Sequence, residues 1–269
     1  MNVKFVIRGV LLAVPLVLII VAGWILLQTP FARRLDPTPP PPTILAPPGS
    51  MPTGPVGLQE WAQYQGQDYR IAGSGFLFAL ASGEIVAATT AHSVRLGDPD
   101  QPLEWIALGI ADRSGFVGEF ETLRGKPGQR LTPENLTVDY LLLEVDQPVD
   151  PDLVLVPDPR GAPQPGERVS LYSGLGDGQG NVRVLSGTVQ SAGDDAVWVL
   201  MDGAFNPGLM SGSPLVSQHT GQVVGMAVAA SRRINRLLIG IHPIGSLVRL
   251  AGSATESRRL IDLVQEAEQ

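Results

Sequence analysis

Between Leu58 and Gly252 the chain is cut into short apolar runs separated by turns rich in Gly, Pro, Asp and Asn. The runs are Gly75–Leu80, Glu84–Thr89, Trp105–Ile110, Val138–Val145, Arg168–Tyr172, Val182–Ser191, Val197–Met201, Gln222–Ala229 and Leu237–Ile241. Strands this short and this regularly punctuated indicate an all-β barrel or sandwich. The 31 glycines, 24 prolines and only 17% charged residues fit a loop-rich β protein better than a helical bundle. A Pro-rich passage, Pro148–Pro165, divides the runs into two similar sets, so the expected domain (58–252) holds two small barrels. Ser253-Ala254-Thr255-Glu256 then reads as a capping box, and Leu260, Ile261, Leu263 and Val264 give an apolar helical stripe. A C-terminal helix over 253–269, packed on the second barrel, is expected.

The N-terminal quarter is different. After a tail of residues 1–8, residues 9–28 (GVLLAVPLVLIIVAGWILLQ) form 20 consecutive positions without a charge. As a helix rising 1.5 Å per residue, such a run spans the roughly 30 Å hydrocarbon core of a bilayer. Pro15 is tolerated in a membrane helix, and Trp24 lies near one end, where interfacial aromatics gather. The rival reading is a cleaved signal peptide with Lys4 and Arg8 as its charged region; the run is long for one. The expectation is an uncleaved single-pass anchor, with a slight positive excess on its N-terminal side that leaves the domain outside the cytoplasm. Within the Pro-rich linker (29–57), Pro30 to Pro55 holds ten prolines, including the run Pro39–Pro42. It favours polyproline II and, as a stalk, reaches at most about 80 Å. An SH3-type ligand is the other use of such a stretch, but next to an anchor a spacer is the reading adopted.

Charge and composition exclude several classes. A net charge of −7 with no Lys/Arg-rich run argues against a nucleic-acid partner. With no cysteine there is no disulfide scaffold, Cys-based zinc site or cysteine nucleophile. Three scattered histidines and no His-x-x-x-His pair argue against a metal, and no cofactor is expected. Three places carry chemistry instead: His92 at the end of Ala87-Ala88-Thr89-Thr90-Ala91-His92, Asp139 at the head of an apolar run, and Ser211 in the turn Asn206–Pro214. A serine hydroxyl is a weak nucleophile until a histidine takes its proton, and the histidine needs a carboxylate to fix its tautomer. One of each, in that chain order, meets the requirement. Two lie in the first strand set and one in the second, so the site is expected in a cleft between barrels.

Thr90-Ala91-His92, Val138-Asp139-Tyr140-Leu141-Leu142 and Ser211-Gly212-Ser213-Pro214 resemble the three triad motifs of trypsin-like, chymotrypsin-fold serine peptidases. Ala204-Phe205-Asn206-Pro207-Gly208, Gly221-Gln222-Val223-Val224-Gly225-Met226 and Ile239-Gly240-Ile241-His242-Pro243-Ile244 are similar, more narrowly, to bacterial high-temperature-requirement proteases. The resemblance runs from about Ala72 to Leu250. It implies two six-stranded barrels and peptide-bond hydrolysis without a cofactor, with protein or peptide as substrate. It also implies His92 as general base then acid, Asp139 as orienting carboxylate and Ser211 as nucleophile. Unlike the family, the chain is expected to carry no PDZ-like domain after the barrels. Leu209 stands where the family has the glycine of the oxyanion hole, which pairs its N–H with that of Ser211. Met210 replaces a small polar residue.

Plainer readings compete at each position. A lone His is more often a partly buried structural residue, His219 reads as a solvated hairpin residue, and His242 as a structural hydrogen-bonding one. Asp146 and Asp150 rival Asp139 but sit in what reads as a surface turn, and Ser213 rivals Ser211. Asn135-Leu136-Thr137 matches a glycosylation sequon so close to Asp139 that it is read as coincidence. By resemblance the primary pocket is lined by Phe205 and by Ala227, Val228 and Ala229; with no acid among them, an apolar P1 residue is expected. The function expected is thus a membrane-anchored serine endopeptidase, the alternative being a protease-fold module that binds extended peptides through an impaired oxyanion hole.

Overall fold

The computed structural model describes residues 40–131, 135–177, 183–193, 195–233 and 236–266. Strand β1 (Leu58–Tyr64) buries every second residue, Leu58, Glu60, Ala62 and Tyr64, as a strand packed on one face must. It pairs with β2 (Arg70–Ala79) and with β4 (Leu103–Gly109), both antiparallel. β3 (Ile85–Thr89) and β7 (Leu141–Glu144) extend the sheet beyond β2. β5 (Gly118–Phe120) continues it beyond β4, β6 (Thr122–Arg124) beyond β7, and the two-residue β8 (Val154–Leu155) joins β2 in parallel. The expectation of two six-stranded barrels is corrected here: this first sheet is a half-barrel, not closed by a ladder. β5 and β6 lie towards opposite ends of the strand order and are joined through the single residue Glu121.

The second unit does close. β9 (Arg168–Ser173), β10 (Arg183–Ala192), β11 (Val197–Met201), β12 (Pro214–Ser217), β13 (Val223–Arg233) and β14 (Arg236–Pro243) form a six-stranded barrel in the order β10-β11-β14-β13-β12-β9. Each unit has its own apolar core. Leu77, Ile106, Leu108, Leu141 and Leu143 fill the first; Val169, Leu171, Val199, Leu215 and Ile241 fill the second.

Helix α1 (Ile244–Ser253) follows β14 directly, and its buried residues Ile244, Leu247 and Ala251 share the face turned to β13 and β14. The C-terminal helix therefore lies earlier than 253–269, and the apparent capping box is its end rather than a beginning. Ser253 closes α1, its hydroxyl donating to the Leu250 carbonyl. The chain then extends into β15 (Ser257–Arg259), which pairs with β6, and into a 3-10 helical stretch, Leu260–Glu266. Leu260 and Leu263 of that stretch sink into the first core, not the second. The helical period of the apolar residues was real, but a strand partner was available, and cross-strand pairing of the intervening segment set where they landed.

The linker from Pro40 onward lies against the second barrel. The Ala46 carbonyl meets His219 Nε2 at 2.7 Å, Gly49 N–H donates to the His219 carbonyl at 2.8 Å, and Tyr172 Oη donates to the Pro52 carbonyl at 2.8 Å. His219 is thus a half-buried tether rather than a solvated hairpin residue. The 9–28 run lies outside the described residues; among those described, no helix is long and apolar enough to cross a membrane.

Between the units, residues 156–167 carry a buried ionic knot. Arg160 reaches Asp158 at 2.6 Å and Glu167 at 2.9 Å. Thr220 Oγ1 donates to Asp158 at 2.8 Å, and Ser217 Oγ donates to Glu167. Arg160 thereby holds Asp158 below the usual carboxylate range against the opposing effect of burial. Removing it leaves two buried carboxylates without their cation, so Arg160→Ala is expected to lower stability in urea denaturation at neutral pH by about 3–5 kcal/mol. The deficit is expected to shrink as pH falls and Asp158 takes up a proton in the variant before it does in the wild type; a loss below about 1 kcal/mol would put the knot among ordinary surface pairs.

Candidate active site

Apolar β3 ends at Thr89, and the chain turns at once into one 3-10 turn, Ala91–Ser93, that presents His92 between the two units. Thr89 is fully buried and donates through Oγ1 to the Ser74 carbonyl at 2.8 Å. Asp139 lies just ahead of β7 rather than within a strand, held where Gln129 and Gly128 donate to the carbonyls of Val138 and Tyr140. Leu136, fully buried, anchors the same loop: its N–H donates to the Asp195 carbonyl of the second unit. Asn135 accepts from both the N–H and the hydroxyl of Thr137, which makes the sequon residue part of a local turn.

Ser211 sits in a tight loop. Met210 N–H donates to the Pro207 carbonyl, Ser213 N–H to the Met210 carbonyl, and Gly212 N–H to the Ala227 carbonyl at 2.7 Å. Gly212 has φ +91°, and a Cβ there would stand 1.7 Å from the Ser74 carbonyl oxygen, so no other residue fits. Met210 points into the second core, which accounts for an apolar residue beside the serine.

These segments bring the three side chains together. His92 Nε2 lies 2.9 Å from Ser211 Oγ, and His92 Nδ1 lies 2.6 Å from Asp139 Oδ2. Asp139 Oδ1 also accepts the His92 backbone N–H at 3.1 Å. The aspartate is fully buried and the imidazole 29% exposed, so the line runs from a dry end to an accessible one. The competitors are elsewhere. Asp146 and Asp150 are exposed, Asp150 capping the 3-10 turn Pro151–Leu153 through the Asp152 N–H. Ser213 is buried, its hydroxyl without a hydrogen bond among the described residues.

Leu209 is a non-glycine residue in the left-handed region, with φ +61° and 46% of its surface exposed. That conformation costs a leucine about 1–2 kcal/mol. Its carbonyl accepts from Ser74 Oγ at 2.9 Å, while the N–H groups of Leu209 and Ser211 donate to no acceptor among the described residues. Ser74 therefore fastens the loop twice, since its own N–H also donates to the Ser211 carbonyl at 2.9 Å. Sequence reasoning missed this residue; the glycines on either side of it, Gly73 and Gly75, are the only local trace of a close backbone approach.

Phe205 is half-buried against the second core. The Arg183 guanidinium stands 5.7 Å from its ring centroid, and Arg232 Nη2 donates to its carbonyl at 2.8 Å. Ala227 and Val228 are buried and Ala229 half-buried, with a register shift between Ala227 and Ala229 in the β13–β14 ladder. His242 is fully buried beside the Asp139 backbone, with no hydrogen bond of good geometry to either ring nitrogen among the described residues. Tyr140 meets it edge-on at 5.7 Å. Among the described residues no group of three or more His, Asp and Glu side chains is placed to hold a metal ion.

A half-barrel and a closed barrel with a Ser-His-Asp line between them define a chymotrypsin-like architecture. The trypsin-like peptidase domain family matches residues 73–226, more than half of the chain, and the chain belongs to that family. Similar solved structures include human heparin binding protein (18% identity, TM-score 0.51, covering 78% of this chain and 96% of that one). Another is catalytically active tobacco etch virus protease complexed with product (15% identity, TM-score 0.50, covering 81% and 86%). A serine endoprotease from Yersinia pestis also matches (16% identity, TM-score 0.49), and the chain covers 75% of itself and 65% of that protein's length. At these identities the likeness is one of fold. Comparison with curated proteins gives no match.

Burial pushes His242 down from 6.5 to about 4, so the folded protein keeps it neutral while the unfolded chain charges it. A depressed histidine contributes stability that is present above the unfolded value and lost as pH falls towards the folded one. Relative to a His242→Met variant, the wild type is therefore expected to lose stability between about pH 6.5 and pH 4. Paired urea titrations across that range check it; parallel curves for the two proteins count against a buried neutral ring.

Proposed function

We propose that this protein is a membrane-anchored serine endopeptidase whose nucleophile is Ser211. The observation that carries the reading is the continuous hydrogen-bonded line from Ser211 Oγ through His92 to buried Asp139. His92 Nε2 takes the hydroxyl proton as Oγ attacks the scissile carbonyl carbon, and Asp139 holds the opposite ring nitrogen and stabilises the imidazolium. The oxyanion forming on the carbonyl accepts from the free N–H groups of Leu209 and Ser211. His92 then returns the proton to the leaving amine. Water, activated by the same base, hydrolyses the acyl-enzyme and regenerates the serine. Family membership supports hydrolysis of protein or peptide substrates.

An apolar P1 side chain is the preference we assign. Phe205, Ala227 and Val228 offer apolar surface, and Arg183 and Arg232 beside Phe205 repel a basic side chain. Pairing of an extended substrate backbone beside Ala227–Ala229 is the binding mode we assign. The charge-free run at 9–28 supports a single-pass anchor with the catalytic domain outside the cytoplasm.

A membrane-impermeant fluorophosphonate probe tests chemistry and location together. Labelling of the full-length chain on intact cells, abolished in Ser211→Ala and His92→Ala, is the expected result. Losing either residue is expected to cost nearly as much as losing both, because triad members act as a unit. No labelling in either intact or opened cells favours the alternative, a peptide-binding module on a protease fold; labelling only in opened cells overturns the location.

Leu209 sets a second expectation. Glycine adopts φ near +61° without steric cost, so Leu209→Gly relieves strain at one of the two oxyanion donors. Losing such a donor altogether costs about 10²–10³ in kcat, which bounds the gain available from fixing one. A rise in kcat of several-fold with KM nearly unchanged is expected on an apolar-P1 peptide. Equal or lower kcat would show that the leucine already holds its N–H in the productive direction.

A further inference from the structure

β1 places an acid where its pattern calls for an apolar residue. Leu58, Glu60, Ala62 and Tyr64 share the inward face, and Glu60 is completely buried with no salt bridge and no hydrogen bond of good geometry to either carboxyl oxygen among the described residues. A buried carboxylate without a cation is among the costliest groups a core can hold.

What surrounds it explains which form it takes. Its pairing partner across β2 is Gly73. A Cβ built on Gly73 would lie 2.7 Å from Glu60 Oε2, 2.8 Å from Ser93 Oγ and 3.2 Å from the Ser211 carbonyl oxygen. Three polar atoms from three segments thus converge on the one spot that a glycine leaves open: β1, the turn that carries His92, and the loop that carries Ser211. The fourth neighbour is Thr89. Thr89 Oγ1 has already given its proton to the Ser74 carbonyl, so towards Glu60 it only accepts. The Ser211 carbonyl also only accepts, and Ser93 Oγ pairs with Thr90 Oγ1 at 2.6 Å, where either hydroxyl can donate. Two acceptors and one hydroxyl that serves either way suit a carboxylic acid, which donates through one oxygen and accepts through the other.

No facing group is charged. β2 contributes Gly73, β3 Thr89, the 3-10 turn Ser93, the serine loop a carbonyl, and β4 its paired residue Leu108. The titratable groups on those elements are engaged elsewhere or lie at their far ends: His92, engaged with Asp139 and Ser211; Tyr64, whose hydroxyl oxygen accepts the Arg95 backbone N–H at 2.9 Å; Arg70; and Glu104.

We propose that Glu60 is a positioning residue for the peptidase reaction, acting as a neutral carboxylic acid packed between the His92 turn and the Ser211 loop, so that its ionisation loosens both. The proposal rests on the peptidase reading above. Burial raises the carboxyl from 4.5 to about 8, which keeps it protonated at neutral pH and places its loss in the mildly alkaline range. The sign is opposite to that of a salt-bridged acid: the native state holds a proton that the unfolded chain has released, so stability falls as pH rises towards the folded value.

The test uses the full-length chain in detergent, the variant Glu60→Gln, and the rate of fluorophosphonate labelling at Ser211 from about pH 7.5 to pH 9.5, with far-UV circular dichroism at each point. In the wild type the rate is expected to fall reversibly by about tenfold or more across that range while the circular dichroism is unchanged. The neutral, isosteric amide cannot ionise, so in Glu60→Gln the ratio of the two rates is expected to stay within about twofold. A wild-type rate that does not fall overturns the proposal whether or not the variant folds. A fall shared equally by Glu60→Gln also overturns it, by tracing the loss to another group. Melting temperatures add the remaining distinction: if the wild type loses stability between about pH 6.5 and pH 8 while its labelling rate holds, Glu60 is a structural burden only, and the positioning role is rejected. Absence of labelling even near pH 7.5 is a separate result, which overturns the peptidase reading and this proposal with it.

Discussion

Ser74 of the half-barrel meets the serine loop of the closed barrel through its backbone N–H, its carbonyl and its hydroxyl. The N–H donates to Ser211, the hydroxyl to Leu209, and the carbonyl lies where Gly212 would carry a side chain. The same carbonyl accepts from Thr89, next to the turn of His92. A nucleophile from one barrel and a base from the other must hold a separation near 2.9 Å, and side-chain packing alone tolerates larger errors than that. Hydrogen bonds from Ser74 to the Ser211 and Leu209 carbonyls, with Gly212 packed against the Ser74 carbonyl, remove that slack. The rest of the site depends on this junction: it sets the height of the Ser211 loop, and so where Leu209 sits and how far Ser211 stands from His92.

The two ends of the domain reinforce the junction in a reciprocal way. The segment before β1 belongs by sequence to the half-barrel but binds the other barrel through Ala46, Gly49 and Pro52. The segment after α1 follows the second barrel but returns to the first through β15, Leu260 and Leu263. Each unit is thus clamped by the other unit's flank. The Arg160 knot fixes the connection between them, with two carboxylates sharing one guanidinium. Separating the barrels requires breaking several distant contacts together, which protects the cleft from local opening.

Dry polar groups concentrate around this cleft. Asp139 and Glu60 are both fully buried acids, yet their surroundings differ in kind. Asp139 is met by donors, the His92 ring and backbone N–H. Glu60 is met by two hydroxyls and a carbonyl, with no cation. His242 is a buried base next to Tyr140 with no hydrogen bond of good geometry to its ring among the described residues. Low polarisability makes each of these expensive for stability, and the same low polarisability strengthens every charge interaction made during catalysis.

Much of this was legible in the chain. All nine expected strands appear, because alternation and turn residues are local signals. His92, Asp139 and Ser211 were also readable, since each has a local context that presents it: a strand end, the head of an apolar run, and a Gly-rich turn. β1 and the short strands β5, β6, β8, β12 and β15 were not: two to four residues carry no period, and the inward face of β1 is interrupted by the acid Glu60. The C-terminal stripe was read as a helix for the same reason: β6 offered an edge that the sequence around Ser257 does not mention. The strand-rich architecture and the chemical identities of the three reacting side chains are thus written in the chain, each in a local stretch of a few residues. The closure of one barrel but not the other, the junction at Ser74, the strained Leu209 and the buried Glu60 are properties of the folded molecule alone. Those depend on which distant segments share a point in space, and no spacing along the chain records that.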